Sequence, residues 1–131
     1  MEKRIIYTIF LVVLSMGCTS SSPDTDAGQS INELTATASE FEFALSTNTV
    51  KTGSVKITVK NAGTIAHEFI LLREKDTAKL SPIVAQIKDD DLPEGTEKTI
   101  QVTLTPGVYE ISCHLPGHYE AGMKATLTIV D

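Results

Sequence analysis

Three residues near the C-terminus have the types and spacing to hold a metal. In Tyr109-Glu-Ile-Ser-Cys113-His-Leu-Pro-Gly-His118-Tyr-Glu-Ala-Gly-Met123, the cysteine, histidine and methionine are each separated by four residues. One loop can therefore present a thiolate, an imidazole and a thioether to a common point. Soft sulfur ligands favour Cu(I), while imidazole serves both Cu(I) and Cu(II). Two histidines and a cysteine in a trigonal set, with a weak axial methionine, form an electron-transfer geometry. The loop holds one suitably spaced histidine, so a second must come from elsewhere. Each residue taken alone has an ordinary reading: Cys113 as an inert buried thiol, Met123 as a core filler, an upstream histidine as a core side chain bonded to a carbonyl.

The elements that must position this loop read as strands. Glu40-Phe41-Glu42-Phe43-Ala44 alternates so as to put two phenylalanines on one face, and Val55-Lys-Ile57-Thr-Val59 does the same with aliphatic residues. Asn61-Ala-Gly63 signals a turn, and Ile65 to Leu72 is a more fully apolar strand. From Arg73 to Glu97 the rhythm breaks into one long connection. It includes a short helix around Thr77–Gln86, interrupted by Pro82, and the acidic run Asp89-Asp90-Asp91, expected as a solvated loop. Alternation resumes in Ile100–Leu104, turns at Thr105-Pro106-Gly107, and continues through Val108–Cys113 and Ala125–Ile129. Six or seven short strands in about 100 residues suggest an all-β antiparallel sandwich.

Strand parity names the missing ligand. On Ile65–Leu71 the inward set is Ile65, His67, Phe69 and Leu71, while Tyr109, Ile111 and Cys113 share a face of the later strand. His67 and Cys113 then both point inward, and His67 is the candidate second imidazole.

Length and charge bound the rest. The 131 residues make one domain with extensions. Seventeen acidic against 11 basic residues, net −6, with no Lys/Arg cluster, argue against a nucleic-acid partner. Lys3 and Arg4, the apolar run Ile5–Leu14 and the small residues before Cys18 read as an export signal over residues 1–17, too short to span a bilayer, which takes about 20 residues. Gly17-Cys18 resembles a lipobox whose cysteine is acylated after cleavage, although Ser15 stands where an aliphatic residue is usual. Simple secretion, an uncleaved anchor and a Cys18–Cys113 disulfide are the alternatives. Residues 18–30 form a polar, Ser-rich tether, and residues 31–131 form the domain. Loss of Glu2, Lys3 and Arg4 with the signal leaves 16 acidic against nine basic residues.

Asn61-Ala-Gly63 with His67-Glu-Phe69, Leu104-Thr-Pro-Gly107-Val-Tyr109, and the Cys113–Met123 loop together resemble the cupredoxins, the small blue copper proteins. The loop spacing is most similar to the rusticyanin, sulfocyanin and auracyanin branch. The resemblance covers roughly Glu33 to Val130. It implies an eight-stranded Greek-key sandwich with one type 1 copper at one end, held by His67, Cys113, His118 and, axially, Met123. It also implies a tyrosine corner at Tyr109, and an apolar patch around the His118 ring edge with Pro116, Gly117 and Ala121. Such proteins are not enzymes: they pass single electrons between partners such as cytochromes or oxidases. The expected protein is therefore a monomeric carrier, exported to the periplasm or cell surface and lipid-anchored to a membrane through Cys18. The alternative is an envelope copper-binding or copper-delivery protein without a respiratory role. Glu68 replaces the asparagine or serine that often follows the upstream histidine, Ser112 replaces a tyrosine used elsewhere as a remote electron port, and His114 is read as a solvent-side or outer residue. Tyr119 is expected beside the His118 ring or as a cover for the loop.

Overall fold

The computed structural model describes residues 32–73 and 83–131. The export signal, Cys18 and the tether lie outside the described residues, as does most of the expected helix in the long connection. Nine strands are described: β1 Asn32–Ser39, β2 Glu42–Leu45, β3 Thr49–Lys51, β4 Gly53–Asn61, β5 Phe69–Arg73, β6 Ile83–Ile87, β7 Glu97–Leu104, β8 Gly107–Ser112 and β9 Lys124–Val130. They form a four-stranded sheet in the order β2-β1-β4-β7 and a five-stranded sheet in the order β3-β9-β8-β5-β6. Most pairs are antiparallel, but β1 runs parallel to β4 and β3 parallel to β9, so each sheet is mixed.

Period-two alternation builds the interior. Leu34, Ala36 and Ala38 of β1 and Val55, Ile57 and Val59 of β4 are buried from one sheet; Phe69 and Leu71 of β5, Tyr109 and Ile111 of β8, and Leu127 and Ile129 of β9 are buried from the other. These side chains join in one apolar cluster that also contains Cys113 and Met123. Fully burying a Val, Leu, Ile or Phe side chain is worth roughly 1.5–3 kcal/mol, which makes this cluster the main stabilising feature of the sandwich.

Three expectations change. Ser39 pairs with Glu42, so Glu40 and Phe41 are the two residues of a tight turn and not the start of a strand. Phe43 enters the core as expected, whereas Phe41 is 50% exposed and adopts φ 66°. A bulky residue at positive φ costs on the order of 1–3 kcal/mol and persists only where surrounding contacts over-determine it. The strand expected from Ile65 begins at Phe69; Ile65 is 47% exposed, and residues 62–68 form an irregular loop. Gln86, assigned to a short helix, lies in β6, and the one helical turn among the described residues is the 3-10 turn Asp89–Asp91. Ile83 and Gln86 follow Pro82, whose fixed φ and missing N–H oppose helix continuation across it.

The Tyr109 hydroxyl donates to the Thr105 carbonyl at 3.0 Å and accepts from the Thr105 N–H at 3.3 Å, closing the β7–β8 connection as a tyrosine corner. Tyr109→Phe leaves both Thr105 groups without this partner. It is expected to cost about 1–2 kcal/mol in urea unfolding, with an unchanged m value. A loss below a few tenths of a kcal/mol would mean that the ring packing, and not the hydroxyl, holds the corner.

Candidate metal centre

β5 and β8 are antiparallel neighbours, with Ile70 opposite Ser112. The start of β5 and the end of β8 therefore lie at the same edge of the sandwich, and His67 and Cys113 stand just beyond them. His67 is placed by its loop and not by strand alternation. Asn61, buried at the end of β4, donates through Nδ2 to the carbonyls of Ile65 at 2.8 Å and Leu92 at 3.0 Å, and accepts the Gly63 N–H at 2.9 Å. The His67 N–H donates to the same Leu92 carbonyl at 3.3 Å. Leu92 follows the acidic 3-10 turn, so the long connection serves the site by supplying this carbonyl.

The second loop closes on itself. Cys113 N–H donates to the Met123 carbonyl at 3.1 Å, His118 N–H to Leu115 at 3.0 Å, and Met123 N–H to His118 at 3.0 Å. Gly122 adopts φ 105° immediately before Met123, a conformation that L side chains rarely take, and lets the chain turn into β9. Together the two loops bring His67, Cys113 and His118 to one place, with one donor atom from each within 4.8 Å of the others. His118 Nδ1 lies 3.5 Å from Cys113 Sγ, and the two imidazole centroids are 5.2 Å apart. His67, Cys113 and Met123 are fully buried, and His118 is 7% exposed.

The chemistry of this group asks for a cation. Both ring nitrogens of His67 are buried without a hydrogen-bond partner among the described residues. Unsatisfied buried polar groups are costly, and a free thiol beside two imidazoles is a soft, metal-seeking set. Burial, and secondarily the neighbouring His118, push the His67 imidazole below its ordinary pKa, with Glu40 opposing. The ring therefore stays neutral and able to ligate. Glu40 itself is held below the usual carboxylate range chiefly by the Thr64 N–H. The residues fit a single type 1 copper ion.

Around the thiol, the Glu68 N–H donates to Cys113 Sγ at 3.4 Å, while the Glu68 side chain turns away to accept from Gln86 Nε2. The backbone thus supplies a hydrogen bond to sulfur regardless of which side chain follows His67. Among the described residues Cys113 is a free thiol. His114 is exposed and lies outside the three-residue group; its Nε2 meets Ser112 Oγ at 3.0 Å, and its ring packs against Tyr119 at a 41° tilt with centroids 4.7 Å apart. Tyr119 thus packs beside His114, with the Lys124 ammonium over its ring at 4.6 Å. Sequence reasoning missed Phe41, whose ring meets His118 edge-on at 5.5 Å, and Glu40, whose Oε1 lies 3.9 Å from His67 Nε2. Ser39 is the only turn-favouring residue in Ser39-Glu-Phe-Glu42, and no Gly, Pro, Asn or Asp marks its two central positions, so the sequence carried little local signal for either.

The cupredoxin-like domain profile matches residues 7–129. No curated protein matches the sequence. Among solved structures, dithionite-reduced auracyanin from the photosynthetic bacterium Roseiflexus castenholzii superposes with a TM-score of 0.63 at 25% identity, covering 76% of this chain and 98% of that one. Rusticyanin from Thiobacillus ferrooxidans gives 0.59 at 21%, covering 75% and 76%. Auracyanin A, a "blue" copper protein from Chloroflexus aurantiacus, gives 0.53 at 20%, covering 76% and 100%. A chain matched over nearly its whole length, folded as these proteins fold and carrying a buried thiol beside two imidazoles at one edge of its sandwich, belongs to the cupredoxin-like family.

Proposed function

We propose that this protein carries single electrons between redox partners outside the cytoplasm, through one copper ion that His67, Cys113, His118 and Met123 would hold. The observation that carries the proposal is the buried thiol and imidazole group, with donor atoms within 4.8 Å of one another and two His67 ring nitrogens that have no hydrogen-bond partner among the described residues. Copper supplies a centre that takes up and returns one electron between Cu(I) and Cu(II). The chain supplies rigidity. Cys113 and Met123 belong to the packed apolar cluster, and the loop between them is tied by its own backbone hydrogen bonds. Side chains at interior density have little room to rearrange when an electron arrives. Four protein ligands also leave no open position for a substrate, which supports a carrier and not an enzyme.

His118 is the member of the group that reaches the surface, where Phe41, Pro116, Gly117 and Ala121 are exposed beside it or in its loop. This face suits brief encounters with partners such as cytochromes or oxidases, whose contact areas sit at the low end, below about 1,200 Å². In this reading residues 1–17 are an export signal, Cys18 is acylated, residues 18–30 tether the domain residues 31–131 to a membrane, and the carrier works as a monomer. The sequence supports the anchor; among the described residues no helix is long and apolar enough to cross a membrane.

Titrating the full chain with Cu(II) tests the proposal. An intense visible thiolate-to-copper band at one copper per chain and a reversible one-electron couple are expected. A colourless protein would overturn the copper–thiolate assignment. Copper released readily to a chelator with no reversible couple would instead favour a delivery protein. Peptide mass analysis of the membrane fraction should find Cys18 diacylated or triacylated, and an unmodified Cys18 there rules out the lipid anchor.

A further inference from the structure

The β1–β2 turn reaches both imidazoles of the site with consecutive residues. Phe41 holds a strained backbone conformation and packs on His118, while Glu40 faces His67. The carboxylate is clamped where it stands. Thr64 donates to Oε1 through its N–H at 2.5 Å and its hydroxyl at 3.0 Å, and the Ala62 N–H ties the same loop to the Ala38 carbonyl at 2.8 Å. Gly63 keeps the space between acid and ring open. A Cβ at that position would lie 2.6 Å from Glu40 Oε1 and 2.6 Å from His67 Nε2. The ring nitrogen facing this gap is buried and has no hydrogen-bond partner among the described residues, and the carboxylate oxygen across the gap is 3.9 Å away. An imidazole that gives Nδ1 to a metal carries its proton on Nε2. That N–H edge is the one turned toward Glu40.

We propose that Glu40 is a positioning residue of the copper site. Its carboxylate faces the Nε2 edge of His67 through the gap at Gly63, holds the ring in the tautomer that leaves Nδ1 for the metal, and favours Cu(II) over Cu(I). The redox part rests on the copper reading above; the tautomer part does not. The physical reason is charge. Cu(II) carries one more positive charge than Cu(I), so an anion behind one ligand stabilises the oxidised site more than the reduced one. Groups that orient metal-bound histidines typically change metal affinity 10–100-fold. The Glu40 side chain is 37% exposed and partly screened by water, which places its effect at the lower end of that range.

The test compares the full wild-type chain with Glu40→Gln, which keeps the side chain's size and an acceptor for Thr64 but removes the charge. In the metal-free protein, nitrogen NMR of the imidazoles at a fixed pH near 8 should place the His67 proton on Nε2, and the population on Nδ1 should rise in the variant. In the copper-loaded protein, affinity for Cu(II) relative to Cu(I) should fall about tenfold in the variant, read as a reduction potential about 59 mV higher. A wild-type ring protonated on Nδ1, or an unmoved potential beneath an intact visible band, overturns the proposal. A purely structural Glu40 would lower the melting temperature and leave the potential where it was. If neither protein takes up copper yet the metal-free ring shows the expected tautomer and its shift, the positioning role stands and the copper reading fails.

Discussion

Cys113→Ser should abolish the visible band and lower Cu(I) affinity at least a thousandfold, about 4 kcal/mol, while leaving the metal-free fold nearly as stable as before. The asymmetry follows from what the sulfur touches. Its protein contacts are modest: the Glu68 N–H at 3.4 Å and His118 Nδ1 at 3.5 Å, both of which a serine oxygen can also engage. Its proposed metal contact is not replaceable, because an alkoxide is hard and strongly basic where a thiolate is soft and readily formed. Two measurements check the prediction: absorbance during copper titration, and competition for Cu(I) against a chelator of known affinity. A serine variant with the wild-type band would sink the thiolate assignment. A variant that fails to fold without metal would show that Cys113 is mainly a core residue, since it is also fully buried in the apolar cluster.

Much of the architecture was legible because the core strands obey period two. Val55, Ile57 and Val59 enter the interior as their alternation requires, and so do Tyr109 and Ile111. β1 was missed although Leu34, Ala36 and Ala38 alternate equally well. Two alanines give a weak hydrophobic signal, and their smallness suits a strand packed inside the sheet between β2 and β4. Parallel pairing of β1 with β4 and of β3 with β9 was also hidden, since alternation fixes which side chains face inward but not which strand lies alongside.

The group His67, Cys113 and His118 was legible for a mixed reason. Cys113 and His118 sit on one short loop, so spacing alone constrains them. His67 was chosen by parity along a strand that in fact starts at Phe69, and the same parity placed Ile65 inward where it is exposed. The loop buries His67 by other means, through Asn61 and the Leu92 carbonyl. Glu40 and Phe41 show the converse failure. A phase break between Ser39 and Glu42 turned one expected core residue into a surface ring against His118, and a charged strand residue into the neighbour of His67. Such tertiary contacts depend on which loops meet at the edge of the sandwich, and no local pattern encodes them.

His67→Leu should stabilise the metal-free protein while removing its copper affinity. In the absence of metal, His67 buries two ring nitrogens with no hydrogen-bond partner among the described residues, and leaving a buried polar side chain unsatisfied costs about 1–3 kcal/mol. Leucine is close in volume and has no polar atom to desolvate, so near pH 8 the variant should gain about 1–3 kcal/mol and several degrees in melting temperature. The two proteins should diverge further in acid. The folded pKa of His67 lies below the ordinary 6.5 because burial, and then His118, disfavour the charged ring. Below that pH the unfolded chain binds a proton that the folded chain resists, so wild-type stability falls as pH drops from about 6.5; above it both states are neutral and the residue contributes no slope. Leucine removes this slope. Glu40, held below 4.5 in the fold, adds its own loss mainly at lower pH, so the difference between wild-type and leucine-variant melts from pH 5 to 6.5 reports the histidine. Added copper should then raise the melting temperature of the wild type alone, because a ligand that binds only the folded state stabilises it by mass action. A metal-free leucine variant less stable than wild type at pH 8 would show that His67 is a satisfied core residue and not a side chain waiting for a metal.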